Sequence, residues 1–139
     1  MGRKGYTLVL AARTPAKMEK AIARLKEEQL EVTACRCDIS DWESVQKMAA
    51  YAQSLGEVSI VLHIAGMSPH MGNAEAIMRG NALGTVHIHD AFYPILARGG
   101  CLVDTSSMSA YLTPEFIMPK KAFPLASTDR DAFLRKMVA

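Results

Sequence analysis

Four short apolar runs, separated by longer stretches with helical periodicity, set the limits on how this 139-residue chain can fold. Tyr6 to Ala12 (YTLVLAA) is continuously apolar, the pattern of a strand covered on both faces. It ends at Arg13; Thr14 then offers an N-cap and Pro15 suits a first helical position. Met18, Ala21, Ile22 and Leu25 follow at i, i+3, i+4 and i+7 and give that helix one apolar face. Glu31 to Cys37 repeats the strand pattern up to Asp38, after which Ser40 and Glu43 have the capping-box spacing. Val45, Met48, Ala49 and Ala52 make the next apolar stripe, and Gly56 is placed to end it. A third strand is expected over Val58 to Ile64. Asn73 can cap a long helix through Phe92, with Pro94 kinking its end before Gly99-Gly100. The fourth strand is expected over Cys101 to Thr105. Met108 to Pro124 shows little periodicity, and a last short helix is expected near Ser127 or Thr128.

Strands alternating with crossover-length helices predict a parallel sheet with helices on both faces, in one domain spanning residues 1–139. Ligands of such sheets sit beyond the carboxyl ends of the strands. Arg13, Asp38, Gly66 and Ser107 each stand at the end of a different predicted strand, so the polar candidates share one edge.

Composition narrows the function. Half of the residues are hydrophobic, which predicts a substantial core, and a net charge of +2 is too small for an electrostatic nucleic-acid binder. No apolar run approaches the roughly 18 residues of a membrane span. Cys35, Cys37 and Cys101 are odd in number and lie in apolar, strand-like surroundings, which predicts buried reduced thiols rather than a metal site. With no charged-then-apolar leader pattern, a cytoplasmic location is expected. His63, His70, His87 and His89 are each expected to be hydrogen-bonded core histidines rather than ligands.

The ordered segments LVLAAR, CDISD, HIAG, NALGT and GGCLVDTSS resemble the short-chain dehydrogenase/reductase family nearly to Ser109. The resemblance implies an NAD(P)-binding, Rossmann-like doubly wound sheet. Arg13 follows the strand that faces the adenosine ribose in that family. A guanidinium there suits a 2′-phosphate, so NADP is expected over NAD. Asp38 and Ile39 resemble the pair that meets adenine through a side-chain oxygen and a backbone amide. His63-Ile64-Ala65-Gly66 stands where the family has N-N-A-G; Ala65 and Gly66 remain to let backbone approach the cofactor. Asn81 matches the helix-interrupting asparagine that supports the proton relay, and Ser107 the serine that binds the substrate carbonyl. The implied reaction interconverts small-molecule carbonyls and secondary alcohols by hydride transfer.

Other parts of the family pattern are missing. The glycine motif TGxxxGxG does not occur; the first residues, GRKGY, resemble the tail of the helix that follows it. Tyr111 has Glu115 rather than lysine four positions on, so it opens no Y-x-x-x-K. The expectation is a partial chain, inactive alone, with about four strands and the family's central first strand absent. Two rivals stand beside it: a non-catalytic nucleotide-binding or interaction protein on a remnant fold, and a truncated epimerase or dehydratase of the extended branch. Either leaves homo-oligomer formation open. With the central strand absent, Thr7–Ala12 and Val58–Ile64 become adjacent hydrophobic edges, expected either to pair directly in parallel or to recruit a second chain.

Overall fold

A computed structural model describes residues 1–139. Strands β1 (Leu8–Ala12), β2 (Val32–Arg36), β3 (Val58–His63) and β4 (Leu96–Asp104) alternate with helices α1 (Pro15–Glu27) and α2 (Trp42–Leu55) and with a long helical segment. That segment consists of α3 (Ala74–Met78), a π-helical stretch (Arg79–Leu83) and α4 (Gly84–Phe92). A short α5 (Ser109–Leu112), a 3-10 segment (Lys120–Ser127) and α6 (Arg130–Val138) complete the chain. This is an incomplete Rossmann-like α/β fold.

The strands form two separate parallel pairs. β1 pairs only with β2, from Leu8 opposite Val32 to Ala12 opposite Arg36, and β3 pairs only with β4. Of the two arrangements expected for these edges, direct pairing of β1 with β3 does not occur, and within the chain the gap between them stays open. The helix layer accounts for this. Val45, Met48 and Ala49 of α2 pack with Ile88 and Phe92 of α4, and this cluster also takes in Cys35 and Cys37 beside β2 and Val58, Val61 and Leu102 of β3 and β4. One continuous cluster therefore braces both strand pairs. Moving β3 sideways by a strand spacing of about 4.8 Å would pull Val58 and Val61 off it.

The interior is smaller than the composition suggests. Only 15 of 139 residues are buried, ten of them in clusters of six and four, and Leu62, Ile64 and Val103 remain exposed. Strand alternation explains the last three: Val61 and Leu102 face the α2–α4 cluster, so their neighbours Leu62 and Val103 point to the other, uncovered face.

Several local expectations need correction. Ser40 does not cap α2. Its amide and hydroxyl both donate to Asp38 Oδ1, and Asp41 caps the helix by accepting from Glu43 N. β4 begins at Leu96 rather than Cys101: the helix ends at Phe92, Pro94 sits in a 3-10 turn, and a register shift falls between Val58 and Ile60. Gly99 and Gly100 belong to that irregular strand, where Gly99 has φ 80° and a Cβ on Gly100 would lie 2.7 Å from the Ser59 carbonyl oxygen. α6 starts slightly later than expected, with Asp129 accepting from Ala132 N. The segment of weak periodicity before it is anchored at its end, where Ala122 is buried in one cluster with Leu83 and with Phe133 and Leu134 of α6.

Candidate functional site

The open gap is a cavity with a volume of about 900 Å³. Its walls are β1 and β3, and its floor includes Met48, Ile88 and Phe92. Arg13, Asp38, Ile39, Ala65 and Gly66 all line it. The cavity thus joins a strand-wide slot to the crevice beyond the carboxyl ends of β1 and β3, where ligands of parallel sheets bind.

At that end a turn of polar groups is already ordered. Asp38 Oδ1 accepts from Ser40 N at 3.0 Å and Ser40 Oγ at 2.7 Å, while Asp38 N donates to Ser44 Oγ at 3.0 Å. Burial alone would raise the Asp38 carboxyl, but the Ser40 hydrogen bonds and the Arg13 and Arg36 cations outweigh it and hold it below its usual range. Asp38 is therefore a carboxylate at neutral pH. Asp38 Oδ2 and Ile39 N have no hydrogen-bond partner, which leaves an acceptor and a donor on adjacent residues at the cavity. Arg13 and Lys17 form no ion pair, and the Thr14 hydroxyl makes no cap bond to α1; all three line the same end.

Asn81 stands behind this edge. Its Oδ1 accepts from Met67 N at 2.7 Å and its Nδ2 donates to Met67 O at 2.8 Å, so one side chain holds the main chain just after Gly66. The π-helical stretch around Asn81 accompanies that clamp, as expected where a side chain competes for backbone geometry. Thr85 Oγ1 donates to Asn81 O at 2.7 Å. Its only proton being used there, the 3.0 Å contact to His63 Nε2 requires the imidazole to donate. The chain His63–Thr85–Asn81–Met67 thus ties β3, the helix and the Gly66 loop together. Sequence reasoning missed the contacts of Met67 and Thr85 and read His63 only as core, because the Met67–Asn81 and His63–Thr85 partners lie 14 and 22 residues apart.

Ser107 does not line the cavity. It is exposed after β4, with its hydroxyl 2.7 Å from Ser109 Oγ. The structure thus brings together the five residues expected at the cofactor and sets Asn81 behind them, but it leaves Ser107 apart. Tyr111 is 88% exposed on α5, with no contact to Ser107 among its hydrogen bonds.

Two of the four histidines match the core expectation. His63 and His87 are buried, and burial pushes both below the usual imidazole range. His70 is exposed in a 3-10 turn, and His89 is exposed and paired with Asp104 at 2.7 Å. Two residues apart on α4, His87 and His89 point to opposite faces of the helix, so only one of them can reach the core. Cys37 is buried and Cys35 partly so, but Cys101 is exposed, contrary to expectation, because it shares the uncovered face with Val103.

Parallel strand pairs joined by crossover helices, with a crevice at the strand ends, are the marks of a Rossmann-like α/β protein. The short chain dehydrogenase family model matches residues 1–118, and the chain belongs to that family. It is 34% identical over 107 residues to the short-chain dehydrogenase/reductase bsc3 of Alternaria brassicicola, covering 77% of this chain and 39% of that protein. Among solved structures, an alcohol dehydrogenase from Thermococcus sibiricus complexed with 5-hydroxy-NADP superposes with a TM-score of 0.67. It is 26% identical and aligns with 98% of this chain and 57% of its own. A short-chain dehydrogenase/reductase from Burkholderia phymatum in complex with NAD gives a TM-score of 0.69 at 22% identity, covering 91% of this chain and 52% of that one. The chain thus spans between 39% and 57% of the length of these proteins.

Proposed function

We propose that this chain carries the adenosine-binding half of an NADP site belonging to an oxidoreductase that interconverts carbonyls and secondary alcohols. The observation that carries the proposal is the convergence of Arg13, Asp38 and Ile39 on one cavity edge, with Asp38 Oδ2 and Ile39 N unpartnered. A carboxylate acceptor beside an amide donor complements the amino group and neighbouring ring nitrogen of adenine. Arg13, with Thr14 and Lys17 beside it, supplies cationic and hydroxyl donors for a ribose 2′-phosphate. Ala65 and Gly66 carry no bulk beyond a methyl group, so the cofactor can approach the backbone there. Bound NADP or NADPH would supply the hydride chemistry. Asn81 would hold the Gly66–Met67 backbone beneath the cofactor, and Ser107 would donate to a substrate carbonyl. Both NADP and NAD complexes occur among similar structures, so the choice of NADP rests on Arg13.

Turnover is not proposed for the 139-residue chain itself. It holds no lysine four residues after Tyr111, and its serine stands away from the cavity. Binding without hydride transfer is the corresponding reading for the chain alone. Free thiols on apolar strands support a reducing, cytoplasmic setting.

Titration of the chain with NADP and NAD, each compared with an Arg13→Ala variant, tests the proposal. Arg13→Ala should lose about 1–3 kcal/mol of NADP binding, the scale of a charge-assisted hydrogen bond, and little of NAD binding. Equal NADP affinity in both proteins would remove Arg13 from the site.

A further inference from the structure

Ile39 is held from behind at two points by α4. A Cβ added to Gly84 would lie 2.9 Å from both Cγ1 and Cδ1 of Ile39, so the side chain sits directly on the glycine backbone. One turn later the imidazole of His87 lies with Nδ1 2.9 Å from the Ile39 carbonyl oxygen. A carbonyl only accepts, so Nδ1 carries the proton. The ring is itself fixed: Trp42, the first residue of α2, packs against it with centroids 5.6 Å apart and planes tilted by 50°. Arg130 of α6 covers that indole at 4.6 Å and donates to Asp90 Oδ2 at 2.6 Å. A stack running from α6 through Trp42 and His87 therefore ends on the peptide group whose neighbouring amide, Ile39 N, is unpartnered at the cavity.

We propose that His87 and Gly84 are positioning residues that aim the Ile39 amide, and so set the choice of adenine over other purine bases. The inference rests on the adenine-binding reading of Asp38 and Ile39. Neither residue needs to touch the nucleotide. Their contribution is geometric: with the Ile39 carbonyl fixed on one side, the amide one bond away from its Cα keeps a constant direction relative to the Asp38 carboxylate. Adenine presents an amino donor and a ring-nitrogen acceptor to that pair. Hypoxanthine reverses both, placing an oxygen against the carboxylate and an N–H against the amide, so a well-aimed pair rejects it.

The test is titration of the 139-residue chain with ADP and with IDP, followed through the amide resonances of Asp38 and Ile39. The wild-type chain is compared with His87→Leu, His87→Asn and Gly84→Ala. His87→Leu removes the donor, whereas asparagine places an amide N–H near the Nδ1 position. Gly84→Ala leaves His87 intact and displaces the Ile39 side chain. The wild-type chain is expected to prefer ADP. In His87→Leu and Gly84→Ala that preference should fall by about five- to tenfold, the scale of one well-placed hydrogen bond, and His87→Asn should restore most of it. A general loss of stability would weaken both nucleotides together and leave the ratio unchanged, which would overturn the positioning role. If ADP and IDP bind the wild-type chain equally, or ADP shifts neither resonance, the adenine reading itself fails and the inference falls with it. Should His87→Leu fail to fold, the ratios in His87→Asn and Gly84→Ala still decide: an unchanged ratio in Gly84→Ala contradicts the proposal.

Discussion

Asn81 grips Met67 by both of its main-chain polar atoms, donating to the carbonyl at 2.8 Å and accepting from the amide at 2.7 Å. This makes the Gly66–Met67 loop an extension of the helix rather than a free connection. Replacing Asn81 with leucine leaves both Met67 groups without their partner. The expected cost is about 1–3 kcal/mol in urea unfolding, with the Met67 amide exchanging faster in hydrogen-exchange measurements. Unchanged protection of that amide would show that the clamp is dispensable.

Acid should destabilise the fold through its buried histidines. His63 and His87 are buried and neutral, and burial lowers both below the ordinary imidazole value. The unfolded chain therefore binds protons first as the pH falls through about 6.5, and stability contributed above that value is lost progressively below it. Urea midpoints at stepped pH between 8 and 5 should decline through this range. The decline should be shallower in His87→Asn, which removes one of the two titrating groups. A flat profile down to pH 5 would show that neither imidazole is held neutral.

The uncovered face of β3 and β4 should govern solution behaviour. Leu62 and Val103 are each 50% exposed there and Ile64 is 70% exposed, beside two strand edges that lack partners. Such surfaces recruit other strands. Sedimentation should show concentration-dependent association, reduced in a Leu62→Lys, Val103→Lys double variant. A chain that stays monomeric at high micromolar concentration would mean that the open edges are tolerated.

How much of this could be read in the sequence depended on how local each signal was. The four strands and the first two helices follow from periodicity in adjacent residues, and Thr14-Pro15, Gly56 and Asn73 mark ends by their own backbone preferences. Arg13, Asp38, Ile39, Ala65 and Gly66 could be placed on one cavity edge because each stands within three residues of a strand end, where the topology of a parallel sheet collects them. Non-local choices were not legible. Ser40 and Asp41 are both plausible caps, and only the competing Asp38 carboxylate shows that Ser40 is already engaged. The β1–β3 gap depends on the α2–α4 cluster beneath both strand pairs, a constraint no single segment records. His87 gave no sign of its role, because its partner Ile39 lies 48 residues away.

Two-dimensional NMR titration with adenosine 2′,5′-bisphosphate is the decisive measurement for the proposed binding of the adenosine end of NADP at the Arg13–Asp38–Ile39 edge. This ligand carries the base and the 2′-phosphate without the nicotinamide half, so it asks only about the groups gathered at that edge. The predicted result is saturable shifts at the Ile39 amide and Arg13 side chain, with weaker binding of adenosine 5′-monophosphate, which lacks the 2′-phosphate. No shift at these residues at millimolar ligand, or equal binding of the two nucleotides, would contradict it.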